Sequence, residues 1–132
     1  LSAALAPNGV PARFLDHLLQ AGRLVFSSAT FAELEARIWL PKFDRCLPIE
    51  RRRRLLHDAN ASAFWVDIPD GLASRRHSRD PKDDMFIHAA LAAASARLVS
   101  GDEDLLCQHP LEGLHILSPR AALEELTRVG GA

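Results

Sequence analysis

Short apolar runs of strand length alternate with helix-length amphipathic stretches, and this alternation narrows the possible folds more than any other feature. Leu24-Val25-Phe26, Phe64-Trp65-Val66, Arg97-Leu98-Val99-Ser100 and His115-Ile116-Leu117 are the strand candidates. Turn and cap chemistry marks the helices between them. Pro7-Asn8-Gly9 is a turn signal, and Pro11 suits the first turn of a helix to Gln20 with Phe14, Leu15, Leu18 and Leu19 on one face. Ser27 or Ser28 caps a helix from Thr30 to Leu40 that Pro41 closes. Further helices are expected over Pro48–Ala61, from Asp80-Pro81 to Ala96, and from Ser118-Pro119 to Val129; Gly71–Arg79 reads as mostly loop. Strands alternating with helices imply an α/β, three-layer fold with a mostly parallel central sheet flanked by helices. Such sheets bind ligands outside the carboxyl ends of their strands. A length of 132 residues fits a single domain spanning 1–132.

Composition excludes several classes of function. Hydrophobic residues make up 48% and charged residues 25%, which is the composition of a globular chain rather than a disordered one. The formal net charge is −1, so a nucleic acid would have to be held by a local basic patch or through metal ions. No apolar run approaches the roughly 18 residues of a membrane span. The start, Leu1 to Pro7, lacks the basic region of a signal peptide. Cys46 and Cys107 have no zinc-like spacing and are expected to be buried, reduced thiols. These features predict a soluble, cytoplasmic protein.

The acidic residues are clustered. Asp80, Asp83 and Asp84 stand at one helix start, Asp102, Glu103 and Asp104 just after a strand, and Glu33 and Glu35 in the second helix. In a parallel sheet the end of a strand and the start of the next crossover helix share an edge, so Asp83 and Asp102 are expected to converge, with Glu33 in reach. Two carboxylates about 4 Å apart repel by about 4 kcal/mol at an effective dielectric of 20. A divalent cation removes that cost, and oxygen-only ligands suit Mg²⁺ or Mn²⁺, the usual equipment for phosphodiester cleavage. Simpler roles compete. Asp80 before Pro81 is a good helix cap, Asp83 fits a capping-box position, and Asp102 fits a turn. Helix geometry puts Glu35, not Glu33, inside the apolar arc between Phe31 and Trp39.

Several segments together resemble the PIN-domain family. Ser2-Ala3-Ala4-Leu5 with Pro7-Asn8-Gly9 looks like the segment that follows the family's first strand. Ser28-Ala29-Thr30-Phe31-Ala32-Glu33-Leu34 and Leu40-Pro41-Lys42-Phe43 resemble its helix with the invariant Glu. Arg79-Asp80-Pro81-Lys82-Asp83-Asp84 and Val99-Ser100-Gly101-Asp102-Glu103-Asp104 resemble its last two acidic motifs. The likeness is greatest to the branch of toxin components of toxin–antitoxin pairs. It implies an Mg²⁺- or Mn²⁺-dependent endoribonuclease acting on RNA, with Glu33, Asp83 and Asp102 as catalytic metal ligands. It favours Glu33 over Glu35 and Asp83 over Asp84. Asp84 and Asp104 become supporting acids, and Ser100 a hydrogen-bond donor to water or phosphate at the site. A cognate antitoxin and a homodimer are the implied partners.

One departure matters. The family's first catalytic Asp lies on an N-terminal strand, in an Asp-Thr-Asn sequence before the equivalent of Ser2-Ala3. This sequence starts after that point, at Leu1 rather than Met. The domain is therefore expected to lack its N-terminal strand, either because upstream residues exist or because the module is catalytically degenerate and binds a partner protein or RNA.

Basic residues fall into two groups. Arg51 to Arg54 cover every face of a helix and read as solvated. Arg75, Arg76, Arg79 and Lys82 directly precede the acidic motif and are the candidates for RNA phosphates. The six histidines show no metal spacing, and His88 reads as packed or solvated.

Overall fold

The computed structural model describes the backbone of residues 2–94 and 97–131, and among these the side chains other than those of residues 12, 19, 21 and 128–131. Five parallel strands form one sheet: β1 (Ser2–Ala6), β2 (Arg23–Phe26), β3 (Phe64–Trp65), β4 (Arg97–Ser100) and β5 (Ile116–Leu117). Their order is β3-β2-β1-β4-β5. Among the described residues, seven α-helices connect or follow them: α1 (Ala12–Ala21), α2 (Ser28–Ile38), α3 (Ile49–Ser62), α4 (Asp70–Ala73), α5 (Asp84–Ala92), α6 (Glu103–Leu106) and α7 (Pro119–Gly131). This is the three-layer α/β fold that the alternation predicts. No helix of the described residues is long and apolar enough to cross a membrane.

The strand side chains divide between two cores, as the pleat requires. Ala3, Leu5, Leu24, Phe26 and Val99 face α1, α2, α3 and α7 through Leu15, Leu18, Leu34, Leu55, Ala59 and Ala122. Ala4, Ala6, Val25, Leu98 and Ile116 face α5 and α6 through Phe86, Ile87, Ala89, Ala90 and Leu105.

The sequence reading assigned no strand to Ser2–Ala6, yet this segment forms β1 at the centre of the described sheet, pairing with β2 (Ala4↔Val25) and with β4 (Ala6↔Ser100). Alanine has low strand propensity, which hides this run in the sequence. Small apolar residues nevertheless suit a parallel strand covered on both faces, and Ala3 to Ala6 are all at most 2% exposed.

Other expectations shift by smaller amounts. Part of the expected 71–79 loop is helical, as α4. The helix from Asp80-Pro81 starts as a 3₁₀ turn over Pro81–Asp83 and continues as α5 only to Ala92; residues 95 and 96 of the expected span lie outside the described residues. Cys46 and Cys107 are exposed free thiols, not buried ones. Each follows a short, tight turn whose apolar neighbour, Leu47 or Leu105, takes the buried position instead. In the Arg51–Arg54 run, Arg52 is only 3% exposed. Its Nε donates to the Leu47 carbonyl at 2.7 Å and its Nη2 to Asp44 at 3.0 Å, so it secures the segment before α3.

Candidate active site

The strand order reverses direction between β1 and β4, and a cleft of about 130 Å³ opens at their carboxyl ends. Crevices at such switch points are where open parallel sheets bind ligands. Glu33, Asp83 and Asp102 all line this cleft, with Ala6, Asn8, Arg37, Asp80 and Lys82.

Local chemistry places each acid. Ser27 caps α2 through a reciprocal box with Thr30, which starts the helix right at the end of β2. The buried stripe of α2 is Thr30, Leu34 and Ile38, which leaves Glu33 half-buried on its flank and Glu35 exposed. The sequence-based placement of Glu35 in the apolar arc fails because Trp39, which defined one edge of that arc, lies beyond the helix and is 41% exposed. Asp80 caps the 3₁₀ turn by accepting from the Lys82 N–H at 3.0 Å. Asp83 makes no capping hydrogen bond, so its carboxylate is free for the cleft. Asp102 caps α6 with one oxygen, accepting from the Asp104 N–H at 3.0 Å, and is contacted by Asn8 Nδ2 at 3.4 Å on the other.

The loops after β1 and β4 are locked backbone to backbone. The Gly101 N–H donates to the Asn8 carbonyl at 3.0 Å, and a Cβ on Gly101 would collide with the Gly9 carbonyl. Gly9 itself has φ +75°, a conformation that favours glycine. Gly101→Ala is therefore expected to cost about 1–3 kcal/mol, the range for forced overpacking. A melting temperature equal to that of the wild type would show that the two loops can separate freely.

Asp83 is the electrostatically stressed member. Burial pushes its carboxyl above the usual range, and the carboxylates of Asp102, Asp80 and Asp104 add to this; Arg37 opposes them. Asp104 therefore acts on the cleft through its charge without lining it. Among the described residues, no group of three or more His, Cys, Asp or Glu side chains stands close enough together to hold a metal ion.

Two expected supporting residues are used elsewhere. Asp84 is 3% exposed and does not face the cleft. Its Oδ1 accepts from the Ser78 N–H at 2.7 Å, the Ser78 hydroxyl at 3.0 Å and the His77 N–H at 3.1 Å. Ser100 is fully buried, and its Oγ accepts from the Asp102 N–H at 3.0 Å, which shapes the turn below the site rather than opening onto it.

Of the four basic candidates, only Lys82 lines the cleft. Arg75 pairs with Glu112 at 2.6 Å, Arg76 lies 3.6 Å from Asp84 Oδ2, and Arg79 is exposed. His88 is buried, with Nε2 3.0 Å from the Arg75 carbonyl, so it is a packed histidine. Asn8 and Arg37 are cleft residues that sequence reasoning did not single out. The signals were there: Arg37 follows Glu33 by one helical turn, and Asn8 sits in the turn after β1.

The profile of the PIN domain family matches residues 1–104. The chain belongs to the PIN domain family. A solved structure described as VapBC2 from Rickettsia felis bound to a DNA fragment from their promoter has the same fold, with a TM-score of 0.51 and 15% identity over 89% of this chain and 98% of that one. No curated protein matches the chain. The matched region includes β1, the 3₁₀ turn over Pro81–Asp83 and Asp102.

Proposed function

We propose that the protein is a metal-dependent endoribonuclease that hydrolyses RNA phosphodiester bonds, the toxin component of a toxin–antitoxin pair, with Glu33, Asp83 and Asp102 holding Mg²⁺ or Mn²⁺. The observation that carries this reading is that Glu33, Asp80, Asp83 and Asp102 line one cleft, with the Asp83 carboxyl pushed above its usual range by burial and by its acidic neighbours. Such an arrangement costs stability unless a cation is bound. The donor set is all oxygen, and Mg²⁺ keeps several waters and uses few protein carboxylates, so it does not require three acids gathered at one point. The cation would supply neutralisation of phosphate charge and activation of water.

The chain's own residues would divide the remaining work. Asp83 and Asp102 set the position of the reacting phosphate relative to the carboxyl ends of β1 and β4. Asn8 fixes the rotamer of Asp102, and Lys82 offers a positive charge to an adjacent phosphate. Arg79, exposed three residues before it in sequence, would extend that path. Arg75 and Arg76 are held by Glu112 and Asp84 and would contribute less. The family likeness supports a cognate antitoxin and a second copy of this chain as protein partners.

A thermal-shift titration tests the cation site. A ligand at about 100 times its Kd adds about 2.7 kcal/mol, which is on the order of 10 °C for a domain of this size. Mn²⁺ is expected to raise the melting temperature by that amount, and Asp102→Asn to blunt the rise. An equal rise in both proteins removes the site from this cleft.

One observation favours a second reading, a catalytically degenerate module that binds a partner protein or RNA. Among the described residues, β1 ends at Ala6 and brings no carboxylate to the cleft, where the family resemblance implies an Asp on an N-terminal strand. RNA binding without EDTA-sensitive cleavage, measured on the full natural chain, would select this reading.

A further inference from the structure

Besides Lys82, the acidic cleft is lined by a second cation, Arg37. Arg37 stands one turn after Glu33 on α2, and its Nε donates to Glu33 Oε1 at 3.0 Å. Its Nη1 reaches Asn8 Oδ1 at 3.4 Å, and Asn8 Nδ2 in turn reaches Asp102 Oδ2 at 3.4 Å. The guanidinium thus links the acid on α2 to the acid after β4 through one amide, across the cleft that Asp83 also lines. Its side chain is 34% exposed and Glu33's 35%, so the pair is partly withdrawn from solvent rather than being an ordinary surface ion pair.

A fixed guanidinium with a planar fork of donors is well suited to holding carboxylates at set positions. Glu33 cannot give the same oxygen to Arg37 and to a metal ion, and a guanidinium held on that carboxylate repels a cation approaching the same group. We propose that Arg37 is the resident counter-cation of the cleft, and that a divalent cation enters by exchange with it, releasing Glu33 as the guanidinium turns away. This rests on the reading of the cleft as a divalent-cation site. The acids are then held in position before the metal arrives, and metal affinity is lower than the carboxylates alone would give.

The test uses calorimetric titration with Mn²⁺ of the wild type and of Arg37→Met, which keeps a long apolar stem and removes the charge. Mn²⁺ is expected to bind Arg37→Met at least about tenfold more tightly, an opening of 1.4 kcal/mol or more. Arg37→Lys, which keeps the charge, should stay near the wild-type value. Equal Mn²⁺ affinity in wild type and Arg37→Met overturns the exchange and leaves the cation site standing. No binding in either protein overturns the cation site, and the exchange with it. A second measurement needs no variant. In the wild type, the Arg37 Nε–H resonance is expected to move to the position of a solvent-exposed guanidinium as Mg²⁺ saturates. A resonance that stays put while Mg²⁺ binds overturns the proposal.

Discussion

RNA cleavage is expected to fall by at least about 100-fold in Asp83→Asn and in Asp102→Asn, the scale seen when a single preorganised electrostatic group is removed from an active site. Both substitutions keep volume and remove charge. Asn at 102 still offers an oxygen to the Asp104 N–H, so the cap of α6 survives. Relief of repulsion around Asp83 should leave the metal-free melting temperature unchanged or higher. Loss of activity without loss of stability is the pattern of a functional carboxylate. Glu33→Gln should follow the other two, while Glu35→Gln, on an exposed position, should retain most activity. The products should carry 5′-phosphates and 3′-hydroxyls, since hydrolysis by water does not use the ribose 2′-hydroxyl. Cleavage that persists in EDTA, or that survives Asp102→Asn, would contradict the proposed function.

The largest stability effect is expected at Asp84. Three donors converge on its Oδ1 in a buried setting, two from the backbone of residues 77 and 78 and one from the Ser78 hydroxyl. Burial works against its charge, but the hydrogen bonds from Ser78 and His77 outweigh it and hold its carboxyl below the usual range. Asp84→Ala would leave these donors without a partner, at a cost of about 3–5 kcal/mol, comparable to breaking a buried charged network. That is on the order of 10 °C or more in melting temperature. The sign of the pH dependence follows from the lowered folded-state value. The stabilisation is fully present above the unfolded carboxyl range, about pH 4, and is lost as pH falls through the folded value below it. The gap between wild type and Asp84→Ala should therefore be constant near neutrality and close in acid. A gap that widens on acidification would show that Asp84 is not the charged acceptor. His77, beside it, is pushed below its usual range by burial, by Arg75 and by His88, against the opposing pull of Asp84 and Glu112.

The helices with explicit punctuation were legible in the sequence. Pro11, the Ser27–Thr30 box, Pro48 and Asp80-Pro81 each mark an observed start, because caps are local chemistry. β1 was not legible, because Ala-Ala-Leu-Ala has neither alternation nor strand propensity, and only its neighbours on both sides make it a strand. At the site, the three acids named from motifs do share one cleft. Their division of labour was hidden. Asp83 and Asp84 are adjacent and chemically identical, and only the change from a 3₁₀ turn to α5 sends one to the cleft and the other to Ser78. The role of Ser100 was misplaced for a similar reason: a hydroxyl at the end of a strand can face the site or close the turn beneath it, and the turn takes it here. Arg52 was read as solvated because a run of four arginines has no period, yet one of them meets an unpaired carbonyl.

The sheet order has a consequence for how the protein comes into being. The cleft needs Asn8 from the loop after β1 and Asp102 from the loop after β4, and β1 meets β4 through pairs such as Ala3↔Arg97 that lie most of the chain apart. Contacts this distant in sequence close late and slowly, because loop entropy must be overcome before they contribute. A nascent chain lacking β4 can form the β1–β2–β3 half of the sheet but holds no acidic cleft. The acidic cleft therefore assembles only when β4 docks beside β1, and no intermediate without that pairing holds it.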